Sequence, residues 1–184
     1  IYNHIMSLNT IIDNKNAEEN DDKVDVGKKE DYEVVEFNDW EAMKLKKDVL
    51  RGIYSYGFEK PSPIQKKAIK PLYDGKDIIA QAQSGTGKTG AFSIGSLCNI
   101  DESLKQTQVI VVSPTRELAE QTFQVMKEIG TYSDITFCKV VGGTRVNDNI
   151  SDLRKDPQVI IGTPGRIIDM VQKRNLFTDK LKMI

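Results

Sequence analysis

Ala82-Gln83-Ser84-Gly85-Thr86-Gly87-Lys88-Thr89 lies between Asp77–Ala82 (DIIAQA) and Lys88–Asn99. The upstream stretch follows the turn signal Gly75 and reads as a short strand, and the downstream stretch reads as a helix. A strand that turns through two glycines into a helix makes an anion cradle. Gly85 and Gly87 let backbone amides turn inward with no Cβ in the way. The helix N-terminus adds unpaired N–H groups and the positive end of its dipole. Lys88 then reaches terminal phosphates as a point charge, and the Thr89 hydroxyl is placed for Mg²⁺. Ala82 stands where the general GxxxxGK[ST] pattern has its first glycine. By itself the loop specifies a nucleotide and leaves the class of enzyme open.

Outward from the loop, strand and helix patterns alternate. Val109–Ser113 (VIVVS) is an apolar, β-branched run of the kind buried on both faces of a sheet. Glu117–Ile129 is amphipathic, with Leu118, Phe123, Val125, Met126 and Ile129 supplying most of its apolar face. Thr136–Val141 reads as a strand, Asn147–Arg154 as a helix ended by Pro157, Val159–Gly162 as a strand and Gly165–Arg174 as a helix. Strict alternation predicts an α/β fold, a parallel sheet flanked by helices on both faces. Ligands of such folds sit at the carboxyl ends of the strands.

The 184 residues suit one domain with a tail to spare. Residues 1–35 carry nine acidic and four basic side chains, and the rest carry 18 and 22, so the −1 total hides a tail of −5 and a body of +4. Asp13–Glu33 is too polar to offset its ordering entropy and reads as disordered, with packing beginning near Val34–Phe37. Near Trp40 the composition changes, and Met43, Leu45, Val49, Leu50, Ile53 and Tyr54 recur at helical spacing. Cys98 and Cys138 show neither CxxC nor a neighbouring histidine, which disfavours zinc and disulfide frameworks. His4 is the single histidine, so histidine acid–base chemistry is set aside. No apolar run reaches the length of a membrane span.

Gly57-Phe58-Glu59-Lys60-Pro61-Ser62-Pro63-Ile64-Gln65 precedes the phosphate loop, with Trp40 17 positions before its glycine. A glutamine amide can donate to N7 and accept from the N6 amino group of adenine at once, whereas guanine presents O6 there. Downstream, Pro114-Thr115-Arg116-Glu117-Leu118-Ala119 follows the second strand, Gly142-Gly143 the third and Thr163-Pro164-Gly165-Arg166 the fourth. All three fall on one rim of the expected sheet. They offer N–H groups, hydroxyls, arginine and helix N-termini, the groups that hold a sugar–phosphate backbone, and no row of side chains suited to base edges.

In this order the segments resemble the Q motif, phosphate loop, motif Ia, GG element and motif Ib of DEAD-box ATP-dependent RNA helicases. Over residues 37–184 the resemblance implies an N-terminal RecA-like domain. GFEKPSPIQ, AQSGTGKT and GTPGR are most similar to the eukaryotic initiation factor four A branch. The cofactors implied are ATP and Mg²⁺, held by Trp40, Lys60, Pro61, Gln65, Ala82, Gln83, Ser84, Gly85, Thr86, Gly87, Lys88 and Thr89, with Lys88 and Thr89 serving catalysis and Trp40 near the base. The RNA implied is single-stranded and gripped independently of sequence by Pro114, Thr115, Arg116, Glu117, Gly142, Gly143, Thr163, Pro164, Gly165 and Arg166, with 2′-hydroxyl contacts giving preference over DNA. The activity implied is local RNA unwinding in translation initiation or mRNA processing, in cytoplasm, nucleus or both, with accessory scaffold proteins. An ATP-gated RNA clamp uses the same motifs, and a monomer is the default. A guanine-specific NKxD is not in the sequence, which counts against a GTPase.

The Asp-Glu-Ala-Asp motif is not in the sequence either, and Leu181-Lys182-Met183-Ile184 looks like the opening of the strand that carries it. With Ile1 in place of a methionine, the expectation is a fragment. It comprises a tail (1–35) and a partial first helicase domain (36–184), incomplete at its C-terminal end and lacking the second domain. Phosphoryl transfer needs a carboxylate on Mg²⁺ and a group orienting water, so this piece is expected to be inactive or nearly so.

Overall fold

A computed structural model describes residues 23–26 and 35–184. The elements in chain order are β1 (Lys23–Val26), α1 (Lys47–Ser55), α2 (Pro63–Tyr73), β2 (Ile78–Gln81), α3 (Lys88–Asn99), β3 (Val109–Val112), α4 (Arg116–Ile129), β4 (Phe137–Val140), α5 (Val146–Leu153), β5 (Val159–Gly162) and α6 (Pro164–Gln172). Most of the expected elements recur within a residue or two. The helix α2 goes beyond the sequence reading. Ser62 precedes it, Pro63 at N1 supplies a preset φ, and Gly75 (φ +73°) turns the chain away after it.

β3, β5 and β4 form a parallel sheet in that order, with Val109 and Phe137 both opposite Val159, and Val112 and Val140 both opposite Gly162. Side chains alternate between its faces. Val109, Val159 and Ile161 join Ile94 and Leu97 of α3, Met126 and Ile129 of α4, and Val49 and Ile53 of α1 in one core. Ile110, Ile160, Cys138 and Val140 join Leu153 of α5 and Ile167 and Met170 of α6 in a second core on the other face. Helices cover both faces, as expected.

Two findings differ from the sequence reading. The strand before the phosphate loop, β2, is not part of this parallel ladder. It pairs antiparallel with β1, Lys23 opposite Gln81 and Val26 opposite Ile78. The polar stretch read as disordered therefore contains a strand at Lys23–Val26, and the remainder of residues 1–34 lies outside the described residues. By contrast, the reading of Leu181–Ile184 as the opening of a strand holds, and these residues take the free edge of β3: Ile110 N–H donates to Met183 O at 3.1 Å, and Val109 bridges Met183 in parallel. Finally, Leu118 is 45% exposed, whereas α4 buries Ala119, Thr122, Met126 and Ile129. Those four fall three or four apart along one stripe, and Leu118 sits a rotation of about 100° from Ala119.

Close approaches set the packing. A Cβ on Gly52 of α1 would stand 1.7 Å from Ile129 O, and one on Gly95 of α3 would stand 2.6 Å from Leu72 Cβ of α2. These helices touch backbone to neighbour with no room for a methyl group.

Candidate nucleotide and nucleic-acid sites

The phosphate loop owes its shape to two left-handed glycines, Gly85 (φ +82°) and Gly87 (φ +98°). Gly87 is the N-cap of α3, and no side chain caps the helix, so its first-turn N–H groups are left for an anion. Lys88 Nζ donates to Ala82 O and Gln83 O, and Thr86 Oγ1 donates to Gln83 O at 2.8 Å. The loop is thus curled around its own lysine, whose ammonium can exchange those carbonyls for phosphate oxygens. A bound nucleotide fits these groups: nothing lies within 4 Å of the position a Cβ would take at Gly85. Thr89 follows in the first turn of α3, half-buried. Among the described residues no group of three or more His, Cys, Asp or Glu could hold a metal.

Gln65 is 2% exposed and joins two segments 22 residues apart. Its Oε1 accepts from Ser62 N–H at 2.8 Å and its Nε2 donates to Gly87 O at 3.2 Å. An amide has two donor hydrogens and two acceptor lone pairs, so one of each remains after these bonds. That remainder is what simultaneous contact with adenine N7 and N6 requires. Ser62 Oγ beside it is buried. Lys60 is exposed and Pro61 buried.

Trp40 is fully buried, and its Nε1 donates to Phe58 O at 3.0 Å. Its ring stacks on Phe58 with centroids 6.5 Å apart, and Tyr56 meets Phe58 edge-on at 4.7 Å. Enclosed this way, Trp40 supports Phe58 from behind. Phe58 is the half-exposed aromatic, and it reaches the phosphate-loop helix: a Cβ on Gly90 would stand 2.9 Å from its Cε2 and 2.7 Å from Gln65 Nε2. The sequence reading quoted Phe58 within its motif without singling it out, and it passed over Gly90. The signal was a glycine in a helix interior, which marks a close approach.

The other three segments meet at the carboxyl ends of β3, β5 and β4. Thr115 caps α4, accepting from Leu118 N–H at 3.2 Å, and hydrogen bonds from Thr115 and from its own backbone hold the exposed Glu117 carboxyl below the usual range. Thr163 Oγ1 accepts from Gly142 N–H at 3.2 Å, while Thr163 N–H donates to Val140 O at 3.1 Å. Arg166 donates to Asn149 Oδ1 at 2.5 Å, Thr144 O at 3.1 Å and Thr144 Oγ1 at 3.4 Å. The Arg116 guanidinium lies against the diglycine, where a Cβ on Gly143 (φ +81°) would stand 2.1 Å from Nη1. Pro114, Thr115, Arg116, Gly143, Pro164 and Gly165 are exposed. The rim is therefore one bonded unit, facing solvent with glycine backbone, hydroxyl groups and arginine. Thr144 and Asn149, absent from the sequence reading, hold it together. Among the described residues no helix is long and apolar enough to cross a membrane.

A family model described as "DEAD/DEAH box helicase" matches residues 62–184. The ATP-dependent RNA helicases eIF4A of Aspergillus niger and Neurospora crassa are each 53% identical to this chain over 144 residues, covering 78% of it and 36% of their own length. The crystal structure of a DEAD box protein from Methanococcus jannaschii matches with a TM-score of 0.73 at 29% identity, covering 80% of this chain and 40% of that one. S. cerevisiae Dbp5 bound to RNA and ADP BeF3 matches with a TM-score of 0.67 at 32% identity, covering 79% and 37%. The chain thus spans little more than a third of the length of the curated relatives it matches.

Proposed function

The chain belongs to the DEAD/DEAH box helicase family, and from that premise we propose that it binds ATP with Mg²⁺ at the phosphate loop and single-stranded RNA along the rim of β3, β5 and β4. In the whole protein the two sites act together to separate short RNA duplexes, in translation initiation or mRNA processing. Residues 36–184 are the N-terminal RecA-like ATP-binding domain in this reading, and accessory proteins select the RNA.

The geometry supports the following roles. Gly85, Gly87 and the start of α3 present N–H groups to the phosphates, and Lys88 neutralises their charge. Thr89 orients its hydroxyl toward Mg²⁺. Gln65 reads adenine with the donor and acceptor left over from its bonds to Ser62 and Gly87, and Phe58, backed by Trp40, lends the site apolar surface. Bound ATP supplies the phosphoryl bond whose cleavage resets the protein. Along the rim, Arg116, Gly142, Gly143, Thr163, Gly165 and Arg166 hold phosphate and sugar without reading bases. This chain alone is expected to bind nucleotide with little turnover, because phosphoryl transfer needs a Mg²⁺ carboxylate and a water-orienting group.

The observation that carries the reading is the Gln65 amide bonded to both Ser62 and Gly87, which ties the proposed base-reading group to the phosphate loop. Calorimetric titration with ADP and with GDP, in Mg²⁺, tests it. The expected result is ADP binding, GDP binding at least about 10-fold weaker, and loss of that preference in Gln65→Ala. If Gln65 only braced the loop, Gln65→Ala would weaken both nucleotides equally. Equal wild-type binding of ADP and GDP would end the adenine assignment.

A further inference from the structure

On the rim, two of the three nearby arginines also touch other segments of the protein. Arg166 spends its guanidinium on Thr144 and Asn149, and Arg116 packs against Gly142 and Gly143. Arg145 differs from Arg166. It is exposed, and its guanidinium makes no hydrogen bond, ion pair or ring contact among the described residues.

Its place in the chain makes this informative. Arg145 is the N-cap of α5, extended at φ −62°, ψ 131°, with no side-chain capping bond. An arginine has no acceptor to offer the unpaired N–H groups there. Its charge also sits at the positive end of the helix dipole, where a cation is unfavourable. The neighbouring Thr144 hydroxyl donates to Val141 O and accepts from Arg166. The position therefore works against local stability, and its side chain is exposed. Asp148, in the first turn of α5, makes no ion pair with it among the described residues.

Position in the sheet supplies the direction. With strand order β3-β5-β4, motif Ia lies at one end of the rim and the diglycine at the other. Strands about 4.8 Å apart make that track about 10 Å wide. Arg145 follows the diglycine at the outer end, on a loop that Arg166 holds in place through Thr144. We propose that Arg145 is an additional phosphate clamp, extending the RNA track past Gly143 by about one nucleotide, and that a backbone phosphate neutralises both the arginine and the uncapped start of α5. The inference rests on the RNA-binding reading given above.

Arg145→Asn separates this role from a structural one, because asparagine is a preferred N-cap. The test is fluorescence anisotropy of the full chain with a labelled ten-nucleotide oligouridine at several KCl concentrations, together with thermal unfolding. The expected result is a higher melting temperature with RNA binding about 3- to 10-fold weaker at low salt. The salt slope should shrink by about 0.7, one phosphate contact on a single strand. Arg145→Lys should restore most of the slope. Unchanged affinity and slope in Arg145→Asn, with wild-type binding intact, overturns the clamp alone. A melting temperature that falls with the slope unchanged identifies a structural residue and also overturns it. No oligouridine binding by the wild type overturns the RNA reading and the clamp with it. Oligodeoxythymidine should show the same loss of slope, since the contact is to phosphate; a loss confined to RNA would overturn a phosphate contact in favour of a 2′-hydroxyl one.

Discussion

The two regions proposed to hold phosphate, the phosphate loop and the rim of the parallel sheet, are built in opposite ways. The loop is contiguous: eight residues, two left-handed glycines and one helix start make the cradle, and its lysine reaches carbonyls only five and six residues back. The rim is assembled from segments near residues 115, 143 and 164, and its defining bonds span about 20 residues, Gly142 to Thr163 and Arg166 to Thr144. A local site survives as long as its turn does. A non-local site is as good as the strand register that aligns it, and here that register runs through β5, flanked by β3 and β4.

The largest expected effect breaks the rim. A Cβ on Gly162 would stand 2.0 Å from Val140 O, backbone against backbone. Gly162→Ala should cost about 3 kcal/mol or more and lower the thermal midpoint by about 10 °C. Circular dichroism melts measure this; an unchanged midpoint would mean that the β4–β5 approach does not set the rim.

A smaller effect sharpens the contrast from the far end of the same strands. Gln158 is fully buried; its Oε1 accepts from Thr136 N–H and Oγ1, both at 2.9 Å, and its Nε2 donates to Glu102 O at 3.2 Å. Gln158→Ala should cost about 2 kcal/mol by stranding those partners. Amide exchange should then rise in β4 and β5 while α3 stays protected. Equal loss in α3 would show that the two regions open as one unit.

The smallest effect uses one thiol in each region. Burial pushes Cys98, on the phosphate-loop helix, up to about 11 and Cys138, on β4, up to about 12. Since the fold favours the neutral thiol, its contribution is fully present below the unfolded value near 9 and is lost as pH rises through 11 and 12. Stability should therefore decline above about pH 9, followed by urea midpoints. Thiol-reagent kinetics at pH 8 should show both cysteines strongly protected, and faster reaction at Cys138 than at Cys98 would identify the rim as the part that opens first.

Legibility in the sequence followed the same division. The bounds of α3 and β5 matched the sequence reading residue for residue, because a glycine loop and a β-branched run carry their own instructions. Leu118 did not match: its apolarity was plain, but which side of α4 faces the sheet depends on partners elsewhere. Trp40 was read as lying near a base, and it is enclosed behind Phe58, which no spacing rule ranks above it. Nor did polarity reveal that Lys23–Val26 pairs with β2, since backbone pairing needs an open edge more than it needs apolar side chains.

Taken alone, the sequence determined the alternation of elements from β2 to α6, the phosphate loop and the family, because glycine conformations, helix starts and apolar runs are set by neighbours a few residues away. Only the tertiary structure decided that Gln65 bridges Ser62 and Gly87, that Arg166 bonds Thr144 and Asn149, and that Arg145 makes no hydrogen bond, ion pair or ring contact among the described residues. Which donor meets which acceptor depends on how separate strands and helices are brought together, and a linear order of residues does not state that distance.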